Sequence, residues 1–232
     1  MIFAPPLSSI APPLPSALEL DLPADELMDF LENLAAPALV VRCGGISLFR
    51  KGPLGKVCSR ILTKPLLTPS EFAPLSIDPS AIRRICLLRG QGGGPSLEIE
   101  FASFGFALSV RCVDDRTDRG MLRELLEKIT SRTLSVDSLN RAGAAAWLDD
   151  FPTSTSPEWR SRILFDQETN GVSLSLHSPG LAATTSFVPT FIDRDGETLR
   201  LANAGGDRVI HVHTGSSASP IPDSLRPHHA RP

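Results

Sequence analysis

The 232-residue sequence has no tyrosine, two tryptophans and only 6% aromatic residues, so any core must be built mainly from aliphatic side chains. It lacks a strong charge of either sign: the formal net charge is −3, which gives no positive field for nucleic acid. It has four cysteines, Cys43, Cys58, Cys86 and Cys112, at spacings that match no CxxC or zinc-ribbon pattern. Their neighbours are mainly apolar or strand-like, so they read as buried free thiols. There is no apolar run approaching the roughly 20 residues that span a bilayer. There is also no basic leader, since prolines interrupt the apolar residues of the N-terminus. The expectation is a soluble, cytoplasmic chain with reduced thiols, acting on neither nucleic acid nor membrane.

Catalytic motifs are scarce as well. Gly171-Val-Ser173-Leu-Ser175 departs from a nucleophile elbow at its last position and is followed by strand-like sequence rather than a helix. The glycine-rich Arg89–Pro95 lacks the Lys-Ser/Thr ending of a phosphate loop and leads into a strand, so it reads as a hairpin connection. Neither feature supplies a catalytic constellation, so a hydrolase or transferase ranks last among the readings.

What is present is β structure, 21 prolines and 17 glycines, with 41% hydrophobic residues to supply a core. The chain is organised around Ser96–Cys112, SLEIEFASFGFALSVRC. Leu97, Ile99 and Phe101 alternate with Ser96, Glu98 and Glu100, the period of a strand with one face buried and one wet. Ser103-Phe104-Gly105 breaks the run, and Phe106, Leu108 and Val110 resume it, which makes a hairpin.

Around this hairpin, residues 1–16 carry five prolines and read as a disordered tail or a polyproline ligand. Asp21–Leu34 reads as a helix capped by Asp21, with Leu27, Phe30, Leu31 and Leu34 on one face. Ala38–Arg42 and Ile46–Arg50 read as a hairpin across Cys43-Gly44-Gly45. Val57–Leu62 reads as a short strand, and residues 63–80 as a loop with a helical turn near Ser70-Glu-Phe72. Ala81–Arg89 reads as a strand, although its length also permits a short helix. A second helix is expected over 118–130, with Met121, Leu122, Leu125, Leu126 and Ile129 as its stripe. A third is suggested over Thr133–Trp147, weakened by Gly143. After a linker at 151–157, strands are expected at 162–165, 172–177, 182–192, 198–201 and 209–213, with a turn at Asp193–Gly196. Residues 215–232 read as a disordered tail. The domain reading is a first α+β unit over 17–150 and a shorter β-rich unit over 158–214.

The two units share a pattern. Gly45-Ile-Ser-Leu48 matches Gly171-Val-Ser-Leu174, and Ser96–Val110 aligns without gaps on Thr198–Val212. Leu97, Ile99, Leu108 and Val110 fall on Leu199, Leu201, Ile210 and Val212. Either a β-unit has been duplicated, in degenerate form, or amphipathic hairpins look alike because alternation around a glycine turn is generic. The fold class is α+β: an antiparallel sheet with helices packed on one face.

The order of these motifs resembles the haem-utilisation, or hemin-degrading factor, family. The residues that carry the resemblance are Gly45-Ile-Ser-Leu-Phe-Arg-Lys-Gly-Pro53, then Ser96-Leu-Glu98 and Phe104-Gly105, then the helix at 118–130, and Asn203–Gly215 with its His213-Thr-Gly ending. It covers residues 38–130 and fragments of 160–215. It implies tandem α+β units on a large antiparallel sheet, and haem as the cofactor. The sequence departs from the family at Leu54, where an aromatic follows Gly-Pro, in lacking a tryptophan on the strand before Ser96, and in having no histidine before His177.

Candidate ligand residues therefore come from the chain's own chemistry. Neutral imidazole binds haem iron or a divalent metal, and His177, His211 and His213 all lie in the second unit. His211 and His213, two apart on a strand, share a face. Arg42 and Arg50, and with them Arg83 and Arg84, can line a pocket for carboxylates. The competing reading is solvated strand faces and surface charges. Two functions follow: a non-catalytic haem- or small-ligand-binding protein, or a protein-interaction module of accessory, chaperone-like type.

Overall fold

The computed structural model describes residues 16–43, 45–54, 57, 75–89, 95–102, 105–112, 116–134, 160–178, 180–196 and 198–213. In chain order the elements are β1 (Ser16–Leu20), α1 (Ala24–Asn33), β2 (Ala38–Cys43), β3 (Ile46–Lys51), β4 (Leu75–Ile77), a 3-10 turn (Pro79–Ala81), β5 (Ile82–Arg89), β6 (Pro95–Phe101) and β7 (Gly105–Arg111). There follow α2 (Arg116–Lys128), β8 (Ser131–Leu134), β9 (Arg160–Asp166), β10 (Gly171–His177), β11 (Leu181–Phe187), β12 (Phe191–Asp195), β13 (Thr198–Ala202) and β14 (Arg208–His213). Ten strands form one antiparallel sheet in the order β12-β13-β14-β3-β2-β7-β6-β5-β1-β8. Four form a second, β4-β11-β10-β9. The architecture is α+β and dominated by sheet.

One face of the large sheet carries Leu39, Val41, Leu48, Leu97, Ile99, Leu108, Val110, Leu199, Leu201, Ile210 and Val212, all within a single apolar cluster. The cluster also holds Leu27, Phe30 and Leu31 of α1, Leu122 of α2, and Val172, Leu174 and Leu176 of the small sheet. These are the positions that the period-3.6 and period-2 patterns mark as inward. Burying them supplies the main driving force, about 25 cal/mol for each Å² of apolar surface removed from water.

The central hairpin forms in the expected register, with Leu97 opposite Val110 and Ile99 opposite Leu108. Its other face is not wet, contrary to the alternation reading: Glu98 is fully buried and Glu100 nearly so. The hairpin lies in the middle of a ten-stranded sheet, where both faces are covered, and Val40, Cys86 and Ser109 on that second face are buried too.

Several boundaries differ from expectation for local reasons. Pro23 occupies the N-cap position of α1, which has no side-chain cap, so Asp21 stands outside the first turn. Its backbone N–H instead donates to Thr130 O at 3.0 Å. α2 begins at Arg116 and ends at Lys128. Ser16–Leu20 is a strand pairing with β5 and β8, not a tail or an unassigned stretch. Leu75–Ile77 is a strand within the expected loop 63–80, paired with Leu181–Ala183. Thr133 and Leu134 lie in β8 rather than a helix, because they complete the sheet edge against Leu18 and Ala17. β12 continues to Asp195 through the turn expected at Asp193, since Arg194 and Asp195 pair with Leu199 and Thr198. The reversal occurs at Gly196, whose φ of 54° suits glycine. The termini, the helical turn at 70–72, the loop at 90–94, the strand expected at 58–62 and the rest of the third helix lie outside the described residues.

The aligned hairpins β6–β7 and β13–β14 occupy matching places. Reading outward from the β2–β3 pair, one side runs β7, β6, β5 and the other β14, β13, β12. The other aligned motif falls in different sheets, β3 in the large one and β10 in the small one. Cys86 and Cys112 are buried free thiols. No described helix is long and apolar enough to cross a membrane.

Candidate functional site

Register places the polar residues of the second face of the large sheet. His211 on β14 stands opposite Arg200 on β13 and Ser47 on β3, and Ser47 stands opposite Arg42 on β2. Paired residues share a face, so Arg200, His211, Ser47 and Arg42 form one row across four strands. At the usual strand spacing the row is roughly 14 Å long. His213 lies on the same face, opposite Thr198, and about 7 Å further along β14.

Arg42 is 6% exposed. Its Nη1 donates to Ser109 Oγ at 2.8 Å and lies 3.7 Å from Glu98 Oε2. Glu98 also accepts Ser96 Oγ at 3.0 Å and Ser109 Oγ. Burial pushes the Arg42 guanidinium below its ordinary range, and Glu98 pulls it part of the way back. Arg111, opposite Ser96 on the same face, is lowered by burial, raised by Glu98 and lowered by Arg42. The result is a buried polar seat with two guanidiniums beside one carboxylate. Ser47 Oγ is buried and has no hydrogen-bond partner among the described residues.

The structure thus brings Arg42, His211 and His213 onto one face, and leaves the other two candidates elsewhere. His177 ends β10 in the small sheet, opposite Ala182 and Arg160. Arg50 lies on the Leu39 face of the large sheet, opposite Arg208. Its Nη2 donates to Pro53 O at 3.0 Å, and burial, then Arg208, lower its guanidinium. Sequence reasoning missed Ser47, Ser96, Glu98 and Ser109. The serines carry no signal of their own, and only a cross-strand register brings them to Arg42. Among the described residues no three His, Cys, Asp or Glu side chains are grouped to hold a metal ion.

A separate cleft of about 600 Å³ opens at the other end of the sheet, where β1, β5 and β8 meet the start of α1. Leu20, Leu22, Ile82 and Ile85 line it, with Arg83, Arg84, Arg132, Glu19 and Asp21 among its polar groups. Arg83 and Arg84, named from the sequence as residues that can line a carboxylate pocket, are at this cleft, whereas His177, His211, His213, Arg42 and Arg50 are not.

No family model matches the sequence. No curated protein sequence matches it either. Solved structures do match. The haem-degrading enzyme ChuS of Escherichia coli O157:H7 superposes with a TM-score of 0.58 at 11% identity, covering 86% of this chain and 70% of that one. ChuS described as an E. coli haem oxygenase gives 0.56 at 13% identity over 86% and 72%. The apo form of PhuS, a haem-binding protein from Pseudomonas aeruginosa, gives 0.56 at 11% identity over 86% and 71%. The resemblance to haem-utilisation proteins read from short motifs therefore extends to the fold: over the covered part this chain has the ChuS- and PhuS-like α+β architecture.

Proposed function

We propose that the chain is a haem- or small-ligand-binding protein of the haem-utilisation type, and that it binds without catalysing. The observation that carries this reading is the row His211–Ser47–Arg42, which sets an imidazole, a buried hydroxyl and a guanidinium side by side on one sheet face. The fold it shares with ChuS and PhuS supports it. The donor set fits haem. Imidazole is an iron ligand, and a guanidinium held by Ser109 and Glu98 is oriented for a carboxylate. The buried Ser47 hydroxyl can donate to a second carboxylate oxygen. Bound haem would supply an iron centre that a protein nitrogen can ligate. His211 or His213 would hold the iron, Arg42 and Ser47 would bind the acid group, and Glu98 would keep Arg42 in place.

The test is a hemin titration followed by absorbance. The expected result is a saturable Soret shift near one equivalent, lost in His211→Ala/His213→Ala and kept in His177→Ala. A silent titration, or a shift indifferent to His211 and His213, would overturn the reading.

The second reading, an interaction module, is favoured by a different observation. Leu164, Val188, Phe191 and Ile192 are the large apolar side chains most exposed among the described residues: Leu164 lies on β9, an edge strand of the small sheet, Phe191 and Ile192 on β12, an edge strand of the large sheet, and Val188 between β11 and β12. Exposed apolar residues on a sheet edge offer a template for a partner strand. Sedimentation of the wild type beside Phe191→Ser/Ile192→Ser tests self-association there, and identical profiles would remove that form of it.

A further inference from the structure

The two edges of the large sheet differ. β8 exposes Ser131, Arg132 and Thr133, and Arg132 is held by Glu19 of the neighbouring strand. β12 is exposed along its whole length, with Phe191 at 50% and Ile192 at 49%. An open edge that carries large apolar side chains is a pairing surface. The charges around it show what it pairs with.

Arg200 stands directly opposite Asp193, yet the two form no ion pair. The Arg200 guanidinium instead lies over the Phe191 ring, 5.8 Å from its centroid. It thus leans toward the open edge, since Phe191 belongs to the outermost strand. Phe191, Asp193 and Arg200 share the face of the sheet that carries His211. An exposed cation and an exposed anion are left apart beside the edge.

The backbone decides which registers are open. His213 N donates to Gly45 O, and Asn203 N to Arg208 O. Alternation along the ladder then turns the backbone groups of Arg200 and Ala202 toward β12, those of Phe191 and Asp193 toward β13, and those of Ile192 and Arg194 off the sheet. A second copy added by a two-fold axis perpendicular to the sheet keeps every residue on its own face, so the residue at the axis pairs with itself. Asp193, Arg194 or Asp195 at the axis would set like charges opposite each other. Phe191 at the axis would set Asp193 and Arg194 against Pro189 and Val188, which lie outside the strand. Ile192 does neither. Its N–H and C=O exchange bonds with the partner's Ile192, and each Asp193 falls opposite the partner's Phe191, beside the guanidinium that covers that ring.

We infer that β12 is a self-pairing edge, through which two copies of this chain join antiparallel about Ile192 into one continuous sheet, with Asp193 of each bound to the partner's Arg200. The inference rests on the second reading, that this edge is an interaction surface, and it involves no haem. A seam one short strand long buries less than a standard interface, so the dimer is weak and dissociates on dilution.

Sedimentation velocity of the full chain from about 5 to about 500 µM tests this. The wild type is expected to pass from monomer to dimer across that range. Asp193→Arg and Arg200→Asp should each weaken the dimer at least about tenfold, the scale of two exposed ion pairs turned into repulsions. Mixing the two single variants should restore it, because each chain then supplies the charge that the other needs. Within each variant chain the cross-strand pair stays like-charged, so the mixture separates contacts between copies from contacts within one. The substituted residues are exposed, and unchanged thermal denaturation verifies that the variants fold. A wild type monomeric throughout would overturn the dimer, and a mixture that does not recover would overturn the Asp193–Arg200 pairing. A dimer lost in Phe191→Ser/Ile192→Ser but indifferent to both charge variants would overturn this register and leave the edge as an interaction surface. A dimer indifferent to Phe191→Ser/Ile192→Ser would overturn the interaction reading of the edge itself.

Discussion

Asp118 Oδ1 accepts the backbone N–H of Ala35 at 2.7 Å, across a sequence separation of 83 residues. Its other oxygen accepts Ala36 N at 2.9 Å. A fully buried carboxylate in the first turn of α2 thus ties down the chain leaving α1, and it also sits at the positive end of its own helix. Asp118→Ala should destabilise the fold by about 1–3 kcal/mol, because two part-buried N–H groups lose a charged acceptor. Asp118→Asn should cost less, since one acceptor oxygen survives. Urea denaturation measures both, and an alanine variant as stable as the wild type would show that these bonds are replaced by others.

Glu98 and Arg42 form a buried pair whose value lies in its completeness. Removing Glu98 alone leaves a desolvated guanidinium, so Glu98→Ala should cost about 3–5 kcal/mol. Replacing both, as Arg42→Met/Glu98→Leu, should cost clearly less than the sum of the single changes. Additive costs in that double-mutant cycle would mean that the two residues act independently. Glu98→Gln should also weaken hemin if Arg42 receives its acid group, whereas Arg84→Gln, on another pair, should not.

The thiols give a pH dependence with a definite sign. Burial pushes Cys86 and Cys112 up to about 12 from an ordinary value of 9.0. For Cys86, Arg84 opposes the shift, and for Cys112, Asp118 adds to it. Between pH 9 and 12 the unfolded chain releases these protons while the folded chain keeps them. Stability is therefore full below pH 9 and falls as pH rises, by at most about 1.4 kcal/mol per pH unit for each thiol. Thermal melts from pH 8 to 10.5 should decline, and Cys86→Ala/Cys112→Ala should flatten the decline. A slope unchanged by the double substitution would assign it to other groups.

Gly180 is a contact glycine. A Cβ there would lie 2.4 Å from Ala81 Cβ and 3.4 Å from Phe101 Cδ1. Gly180→Ala should cost about 1–3 kcal/mol through overpacking, and Ala81→Gly in the same chain should recover part of it. Denaturant midpoints decide the matter, and an Ala variant with no loss would show that the turn moves away freely.

How much of this was legible depended on which interaction sets each feature. The hairpin Ser96–Arg111 could be read because strict alternation and a turn are local signals. Alternation also tells that Leu97 and Glu98 face opposite ways, but not that both faces are covered, and so by itself it reads Glu98 as wet. β1, β4 and β8 are short, and their reason for being strands lies in their partners: Leu18 needs Leu87, Leu75 needs Ala183, and Thr133 needs Leu18. Proline-rich surroundings pointed the other way for the first two. Within the candidate site, His211 and His213 share a face by spacing alone. That Arg42 joins them through Ser47, and that His177 and Arg50 do not, is decided by the order of strands, which no local pattern contains.

The pairing of β14 with β3 has a consequence for biosynthesis. β3 is made early, and the strand that covers its open side is among the last of the described elements to leave the ribosome. Until then Ile46–Lys51 presents bare amide and carbonyl groups to other nascent chains. Closing that seam late, over a long separation, predicts slow maturation, and truncation before Arg208 would leave the seam permanently open. A chaperone that shields strand edges would then matter more to the yield of this protein than to its finished stability.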